Sequence, residues 1–267
     1  MVFRNIALTL KFCYTAFAKV LLKFPHSKQK GTCRQMKNQR ITVFAGHYGS
    51  GKTNIAVNYA LYLKKENIAK KVTVADLDIV NPYFRTNDSA RSLTENGIRL
   101  ISSAYANSNI DAPAMAAETM TIFDDTSQYG VIDLGGDDRG ALAIGRYKKR
   151  LGEQISKNIL LVVNIYRPLS RTPAEINEIK SEIETAAGFK FTGIINNSNL
   201  GAKTRAYDVL NSVPVIDEVS SLLRLPVEAT CADIKLLAEL TGKIPDLFGL
   251  KINTPLVLQN TLATDEK

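Results

Sequence analysis

Residues 41–54 read ITVFAGHYGSGKTN, and this stretch decides the fold. A short apolar run, residues 41–45, is followed at once by small, polar and cationic residues. The next stretch, residues 52–66, has a helical pattern of apolar positions. A strand, a glycine-rich turn and a helix are therefore predicted in that order.

The turn has the pattern Gly46-x-x-x-x-Gly51-Lys52-Thr53, which is a complete Walker A phosphate loop. Glycines let the backbone curl so that consecutive N–H groups point at phosphate oxygens, and the following helix adds the positive end of its dipole. Lys52 is predicted to reach the β- and γ-phosphates, and the Thr53 hydroxyl is predicted to ligate Mg²⁺. The predicted nucleotide-binding residues of this segment are Gly46, His47, Tyr48, Gly49, Ser50, Gly51, Lys52, Thr53 and Asn54.

After the loop, short β-branched runs alternate with helical patterns. The predicted strands are 41–45, 72–76, 98–103, 130–134, 159–165 and 191–197, with 213–216 as a further candidate. The predicted helices are 52–66, 111–123, 139–156, 173–187, 203–211, 217–224 and 231–247. Continuous apolar strands are typical of a sheet that is covered on both faces. The predicted fold class is therefore α/β: a doubly wound, mostly parallel sheet with helices on both faces.

Acidic residues follow two of the predicted strands. Asp76 and Asp78 lie at the end of one strand, in VTVADLDIVNP, and Asp133 lies at the end of another, in GVIDLGG. Carboxyl ends of parallel strands meet at the edge where ligands bind, so these acids are expected beside the phosphate loop. Asp133 is predicted to polarise a water on Mg²⁺, and Gly136 to offer its N–H to the γ-phosphate. The alternative for Asp76 and Asp78 is an acidic strand end in solvent.

These segments together resemble the MinD/ParA-type (deviant Walker A) P-loop ATPases. GHYGSGKT, DLDIVNP and VIDLGG occur in that family's order, and the resemblance runs from about residue 41 to at least residue 199. It implies that the catalytic residues are Lys52 and Asp78, with Asp78 orienting or activating the attacking water. It also implies a metal site formed by Thr53, Asp76 and Asp133.

The base of the nucleotide is indicated by a later segment. FTGIINNSN, residues 191–199, resembles the family segment whose asparagine hydrogen-bonds the adenine, and Asn197 is the best match. A plain loop asparagine is the alternative at this position. The guanine-reading patterns N-K-x-D and T-K-x-D do not occur in the sequence. The predicted cofactors are therefore ATP and Mg²⁺.

One position departs from the family pattern K-G-G-x-G-K-[ST]. The family's first lysine reaches across a dimer to the partner's nucleotide, and His47 takes its place here. Imidazole is mostly neutral at pH 7, which counts against the family's nucleotide-sandwich dimer and its dimer-dependent hydrolysis; a nucleotide-dependent homodimer stays open as an alternative. Arg85 and Arg139 lie close in sequence to predicted ligand loops; each either supplies the missing charge or is a solvated surface arginine.

Three classes of function remain open. The leading one is a slow ATPase that acts as a nucleotide-dependent switch on an unidentified protein partner. The second is an ATP-dependent small-molecule ligase or kinase of the same superfamily. The third is a regulatory module that binds nucleotide without hydrolysing it.

The net charge of +8 comes from one end of the chain. Residues 1–40 contain nine basic and no acidic residues, whereas the remaining 227 residues carry 25 basic and 26 acidic groups. The charge therefore gives no strong evidence for nucleic-acid binding. Residues 1–35 are predicted to be a basic amphipathic extension and residues 36–267 a single P-loop domain. The extension is a presequence, a membrane-surface helix or sequence upstream of a functional start at Met36; membrane contact is expected only if residues 1–24 are native.

Cysteine usage bears on the compartment. The three cysteines are Cys13, Cys33 and Cys231, and they form no C-x-x-C pair. Neither a disulfide framework nor a zinc or iron–sulfur site is indicated. A reducing, cytoplasmic setting is therefore expected.

Overall fold

The computed structural model describes residues 38–77, 87–102, 112–135 and 144–251, all within one compact unit, Arg34–Lys267. The strands are β1 (Ile41–Ala45), β2 (Lys71–Asp76), β3 (Arg99–Ile101), β4 (Gln128–Asp133), β5 (Lys157–Val163), β6 (Gly193–Asn196), β7 (Val227–Asp233) and β8 (Leu247–Leu250). The helices are α1 (Lys52–Lys65), α2 (Asn87–Glu95), α3 (Ala112–Asp124), α4 (Lys148–Glu153), α5 (Pro173–Ala187), α6 (Ala206–Leu223) and α7 (Leu237–Leu240). Among these helices none is long and apolar enough to cross a bilayer.

The eight strands form one sheet in the order β3-β2-β4-β1-β5-β6-β7-β8. Every pair of neighbouring strands is parallel. The predicted α/β fold class is therefore confirmed. β1 lies between β4 and β5, so the loop that leaves its carboxyl end stands where the strand order changes direction, which is where such sheets bind ligands.

Both faces of the sheet are buried. Ile41 and Val43 of β1 belong to one apolar cluster, whereas Phe44 belongs to another, together with Ile55 and Tyr59 of α1. Successive side chains of a strand point to opposite faces, so β1 contributes to a core on each side. This double burial explains why its sequence is a continuous apolar run rather than an alternating one.

Helix α6 corrects the prediction for residues 203–224. The candidate strand 213–216 is wrong, because it lies inside α6, and the two predicted helices on either side are one continuous helix despite Pro214. Ile216 and Val219 are buried, three residues apart on the same face. Tertiary packing of that face overrides both the β-branched composition and the proline.

The predicted helix over 231–247 is also wrong. Residues 227–233 form β7, a 3₁₀ turn and the short helix α7 follow, and residues 247–250 form β8. Apolar residues at helical spacing in DIKLLAEL suggested one long helix. The structure instead uses Leu240 to pack against α6 residues such as Val209, and the flanking residues extend the sheet.

Two further helices differ from the prediction. Helix α2 was not predicted, because its sequence NDSARSLTE has one large apolar residue, Leu93, and no repeating apolar stripe. The predicted helix over 139–156 is helical at residues 144–145 and over Lys148–Glu153, with a turn at residues 146–147 between the two parts; residues 139–143 lie outside the described part. The domain boundary at residue 36 stays a prediction.

Candidate functional site

The phosphate loop follows β1 directly and requires its glycines for steric reasons. Gly46 has a φ of +154°, and a Cβ there would lie 2.3 Å from the carbonyl oxygen of Val162 on β5. Gly51 has a φ of +89°, and a Cβ there would lie 2.3 Å from the side-chain nitrogen of Asn197. Neither position accepts a side chain without movement of its neighbours. The loop is therefore packed tightly against the ends of β5 and β6.

Inside the loop, the backbone folds around the carbonyl oxygen of His47. The backbone N–H of Ser50 donates to this oxygen at 3.2 Å, and the Lys52 ammonium also donates to it at 3.2 Å. Lys52 is only 5% exposed. The loop thus encloses the lysine; its contact with the β- and γ-phosphates stays a prediction.

The Thr53 hydroxyl lies next to the predicted strand acid. Its Oγ1 donates to Oδ2 of Asp133, at the end of β4, over 2.5 Å. Asp133 is almost fully buried and is in register with Phe44 of β1 on one side and Asp76 of β2 on the other. The structure therefore brings Thr53, in the first turn of α1, to the edge of the sheet where Asp133 and Asp76 end the adjacent strands β4 and β2.

Asn197 lies directly behind the loop and is buried. Its side-chain nitrogen donates to the carbonyl oxygen of Ser50 at 2.7 Å, and its own carbonyl accepts from the Asn199 side chain at 2.7 Å. Asn164, at the end of β5, accepts from the Asn199 backbone N–H at 3.2 Å. In this arrangement Asn197 supports the loop backbone; its contact with adenine stays a prediction.

The environment of His47 disfavours its charged form. Burial lowers the pKa of its imidazole, and the nearby positive charge of Lys52 lowers it further, whereas Glu182 acts in the opposite direction. A histidine whose pKa lies below its ordinary value is neutral at pH 7. His47 therefore does not replace the fixed charge of a lysine in the loop.

Two other predicted loop residues have different surroundings. Tyr48 is 62% exposed, which leaves its ring in solvent at the outer face of the loop. Asn54 lies in the first turn of α1, where its side-chain oxygen accepts from Asn58 at 3.2 Å. Nucleotide contacts by these two side chains stay predictions.

Arg167 is a residue of this site that the sequence interpretation missed. It lies in the segment between β5 and α5, and its Nε donates to the carbonyl oxygen of Gly49 at 3.1 Å. The signal that points to it is its position: the segment NIYRPLSR follows the carboxyl end of β5, which borders β1. The same edge rule that selected Asp76 and Asp133 would have included it.

Four residues singled out from the sequence lie outside the described part of the chain: Asp78, Arg85, Gly136 and Arg139. Their predicted roles stay predictions. Among the described residues, no cluster of three or more His, Cys, Asp or Glu side chains is placed to hold a metal ion.

Comparison with known proteins identifies the fold. No protein-family model and no curated protein sequence matches the chain. Among solved structures, the chain is similar to the chloroplast FtsY of Physcomitrella patens, with a TM-score of 0.50 and 17% identity over 76% of this chain and 63% of that one. It is also similar to the signal recognition particle receptor FtsY of Elizabethkingia anophelis in complex with GDP, with a TM-score of 0.49 and 18% identity over 79% and 62%.

The FtsY of Thermotoga maritima is a third structure of this kind, with a TM-score of 0.49 and 17% identity over 72% of this chain and 61% of that one. The chain thus spans between 61% and 63% of the length of these three proteins. At such identity the likeness to the Physcomitrella patens structure is one of fold. The chain has an α/β P-loop NTPase-like fold.

Proposed function

We propose that the chain is a Mg-ATP-binding P-loop ATPase of the MinD/ParA type that acts as a nucleotide-dependent switch on a protein partner. The observation that carries the proposal is the 2.5 Å contact between Thr53 Oγ1 and Asp133 Oδ2. It joins the hydroxyl of the phosphate loop to a buried strand acid at the binding edge of the sheet. This is the pair that a Mg-nucleotide site requires, one oxygen for the metal and one to orient its water.

The residues at this edge fit the proposed ligand. Hydroxyl and carboxylate oxygens are the protein ligands that Mg²⁺ prefers, and bound Mg²⁺ would offset the negative charge of the phosphates. Within the loop, the Ser50 hydroxyl is buried and has no hydrogen-bond partner among the described residues. A buried hydroxyl in that position is suited to meet an incoming phosphate oxygen.

The proposed roles divide between binding and hydrolysis. Lys52 holds the β- and γ-phosphates, and the loop N–H groups surround them. Asp133 and Asp76 orient the metal's water shell. Asp78 orients the attacking water and Asn197 reads the adenine, and these two assignments rest on the sequence resemblance. Gly136, three residues after Asp133, offers its N–H to the γ-phosphate.

The proposed output is a change of shape that a protein partner detects. Intrinsic hydrolysis is slow where a partner supplies part of the charge that stabilises the transition state, and such slow turnover suits a switch better than a metabolic enzyme. Measurement of ATP turnover distinguishes the switch from the two alternatives. A ligase or kinase turns over ATP only when an acceptor molecule is added, and a non-hydrolysing module does not turn over ATP at all.

Steady-state hydrolysis of ATP and GTP by the full chain tests this proposal. We expect slow ATP turnover, less GTP turnover, and a loss of at least about a hundredfold in the Lys52→Ala and Asp78→Ala variants. Lys65→Ala removes an exposed lysine from the same helix and should leave the rate unchanged. Turnover that requires an added acceptor would favour the ligase or kinase. ATP binding without any turnover would contradict the ATPase and favour the regulatory module.

A further inference from the structure

An exposed arginine lies directly on the phosphate loop. Arg167 Nε donates to the Gly49 carbonyl oxygen at 3.1 Å. Gly49 has a φ of +75°, and a Cβ there would lie 3.7 Å from the same Nε. The guanidinium therefore covers the bare backbone of the loop at a position without a side chain. The guanidinium approaches the loop from the solvent side, whereas the Lys52 side chain is enclosed by the loop.

The segment that carries Arg167 is held in place from several directions. The Asn164 carbonyl accepts from the Arg167 backbone N–H at 3.1 Å and from the Ser170 hydroxyl at 2.7 Å. The Tyr166 hydroxyl donates to the Asp208 carbonyl of α6 at 2.7 Å. These bonds fix the backbone on both sides of the arginine, so its side chain starts from a defined point beside the loop.

The charges around the loop favour a phosphate-binding role for this arginine. A nucleoside triphosphate brings several negative charges to a small volume, and cations placed beside it are strongly favoured. Lys52 supplies one positive charge. The pKa of His47 is lowered by burial and by Lys52, so in the nucleotide-free protein its imidazole is neutral at pH 7.

We propose that Arg167 binds the phosphates of the bound nucleotide from the outer side of the loop. Nε stays on the Gly49 carbonyl, and the remaining N–H groups of the guanidinium donate to phosphate oxygens. The ligand class is a nucleoside di- or triphosphate, and the inference rests on the proposed nucleotide-binding function. A guanidinium suits this position because its fixed fork can hold a carbonyl and a phosphate at the same time.

The test compares two arginines of the same segment in the full chain. Arg167→Ala removes the loop contact, and Arg171→Ala removes another exposed charge four residues away. We expect Arg167→Ala to weaken Mg-ATP binding about tenfold, Arg171→Ala to stay within about twofold, and Arg167→Lys to recover part of the loss. Calorimetric titration measures the affinities, and thermal unfolding checks that each variant is folded.

Salt dependence separates a phosphate contact from a purely structural role. If Arg167 binds phosphate, the affinity of the wild-type chain falls more steeply with salt than that of Arg167→Ala, whereas a brace for Gly49 would leave the slope unchanged. Equal affinities for the Arg167→Ala and Arg171→Ala variants, or equal slopes, would overturn the inference. A wild-type chain that binds neither ATP nor ADP would overturn the proposed function itself.

Discussion

His47 stands in the phosphate loop at a position where the resembling family has a lysine, and its surroundings keep it neutral. Burial is the main cause of its lowered pKa, followed by repulsion from Lys52. In the unfolded chain the pKa returns to its ordinary value near 6.5. The folded state therefore binds a proton at His47 less readily than the unfolded state does.

This difference predicts a pH dependence of stability. The contribution of neutral His47 is fully present above pH 6.5 and is lost as the pH falls from there towards the lowered pKa of the folded state. We expect the free energy of unfolding of the wild-type chain to fall more than that of His47→Gln between about pH 7.5 and about pH 5.5. Denaturant titrations at the two pH values measure it. Equal losses in both proteins would contradict the lowered pKa.

Residue types could be predicted at this site better than residue contacts. The loop glycines, Lys52 and Thr53 were predicted from the Walker A spacing, and Asp133 was predicted from its place at the end of a strand. The contact of Asn197 with the Ser50 carbonyl and that of Arg167 with Gly49 could not be predicted. Both depend on how close β5 and β6 come to β1, which no local pattern records.

At the scale of elements, the bounds of α5 could be predicted correctly because its sequence carries a complete set of local signals for the start and end of a helix. Its predicted and observed bounds are both 173–187. Thr172 and Glu175 form a capping box, proline occupies the first turn, and Gly188 ends the helix with a φ of +69°. Strand β8 was missed because it is a four-residue edge segment without a clear period, and β7 was missed because its sequence VEATCAD contains no run of large apolar residues.

The end of α5 is joined to the sheet by a buried acid. Glu184 accepts from the backbone N–H of Phe191 at 3.0 Å and from the ammonium groups of Lys180 and Lys190 at 3.0 Å and 2.7 Å. These partners lower the pKa of its carboxyl although burial opposes them. The charged carboxylate therefore connects the helix to the chain that enters β6.

Replacement of this acid should destabilise the protein measurably. Glu184→Ala removes the three contacts and leaves the buried Phe191 N–H without an acceptor, so we expect a loss of about 1–3 kcal/mol in the free energy of unfolding. Glu178→Ala, at an exposed position of the same helix, is the matched control and should change stability by less than about 0.5 kcal/mol. A Glu184→Ala variant as stable as this control would show that the carboxylate does not anchor α5.

At the scale of the whole molecule, the site depends on the order of the strands. The loop follows β1, Asp133 ends β4, Asp76 ends β2, and Arg167 and Asn197 follow β5 and β6. Alternation of strands and helices predicted the parallel sheet, because parallel neighbours need crossover connections. The order β3-β2-β4-β1-β5-β6-β7-β8 could not be predicted, since it is set by long-range pairing. That order brings the separated motifs to one edge.

Titration of the full chain with ATP, in Mg²⁺ and in a chelator, is the most direct test of a Mg-nucleotide site at this edge. We expect saturable binding that is tighter with Mg²⁺. We expect Thr53→Val to reduce this gain in affinity from Mg²⁺ by at least about tenfold. Thr185→Val, at an exposed helical position, should bind like the wild-type chain. No ATP binding, or Mg²⁺-dependent binding that Thr53→Val leaves intact, would contradict the assignment of this edge as the nucleotide site.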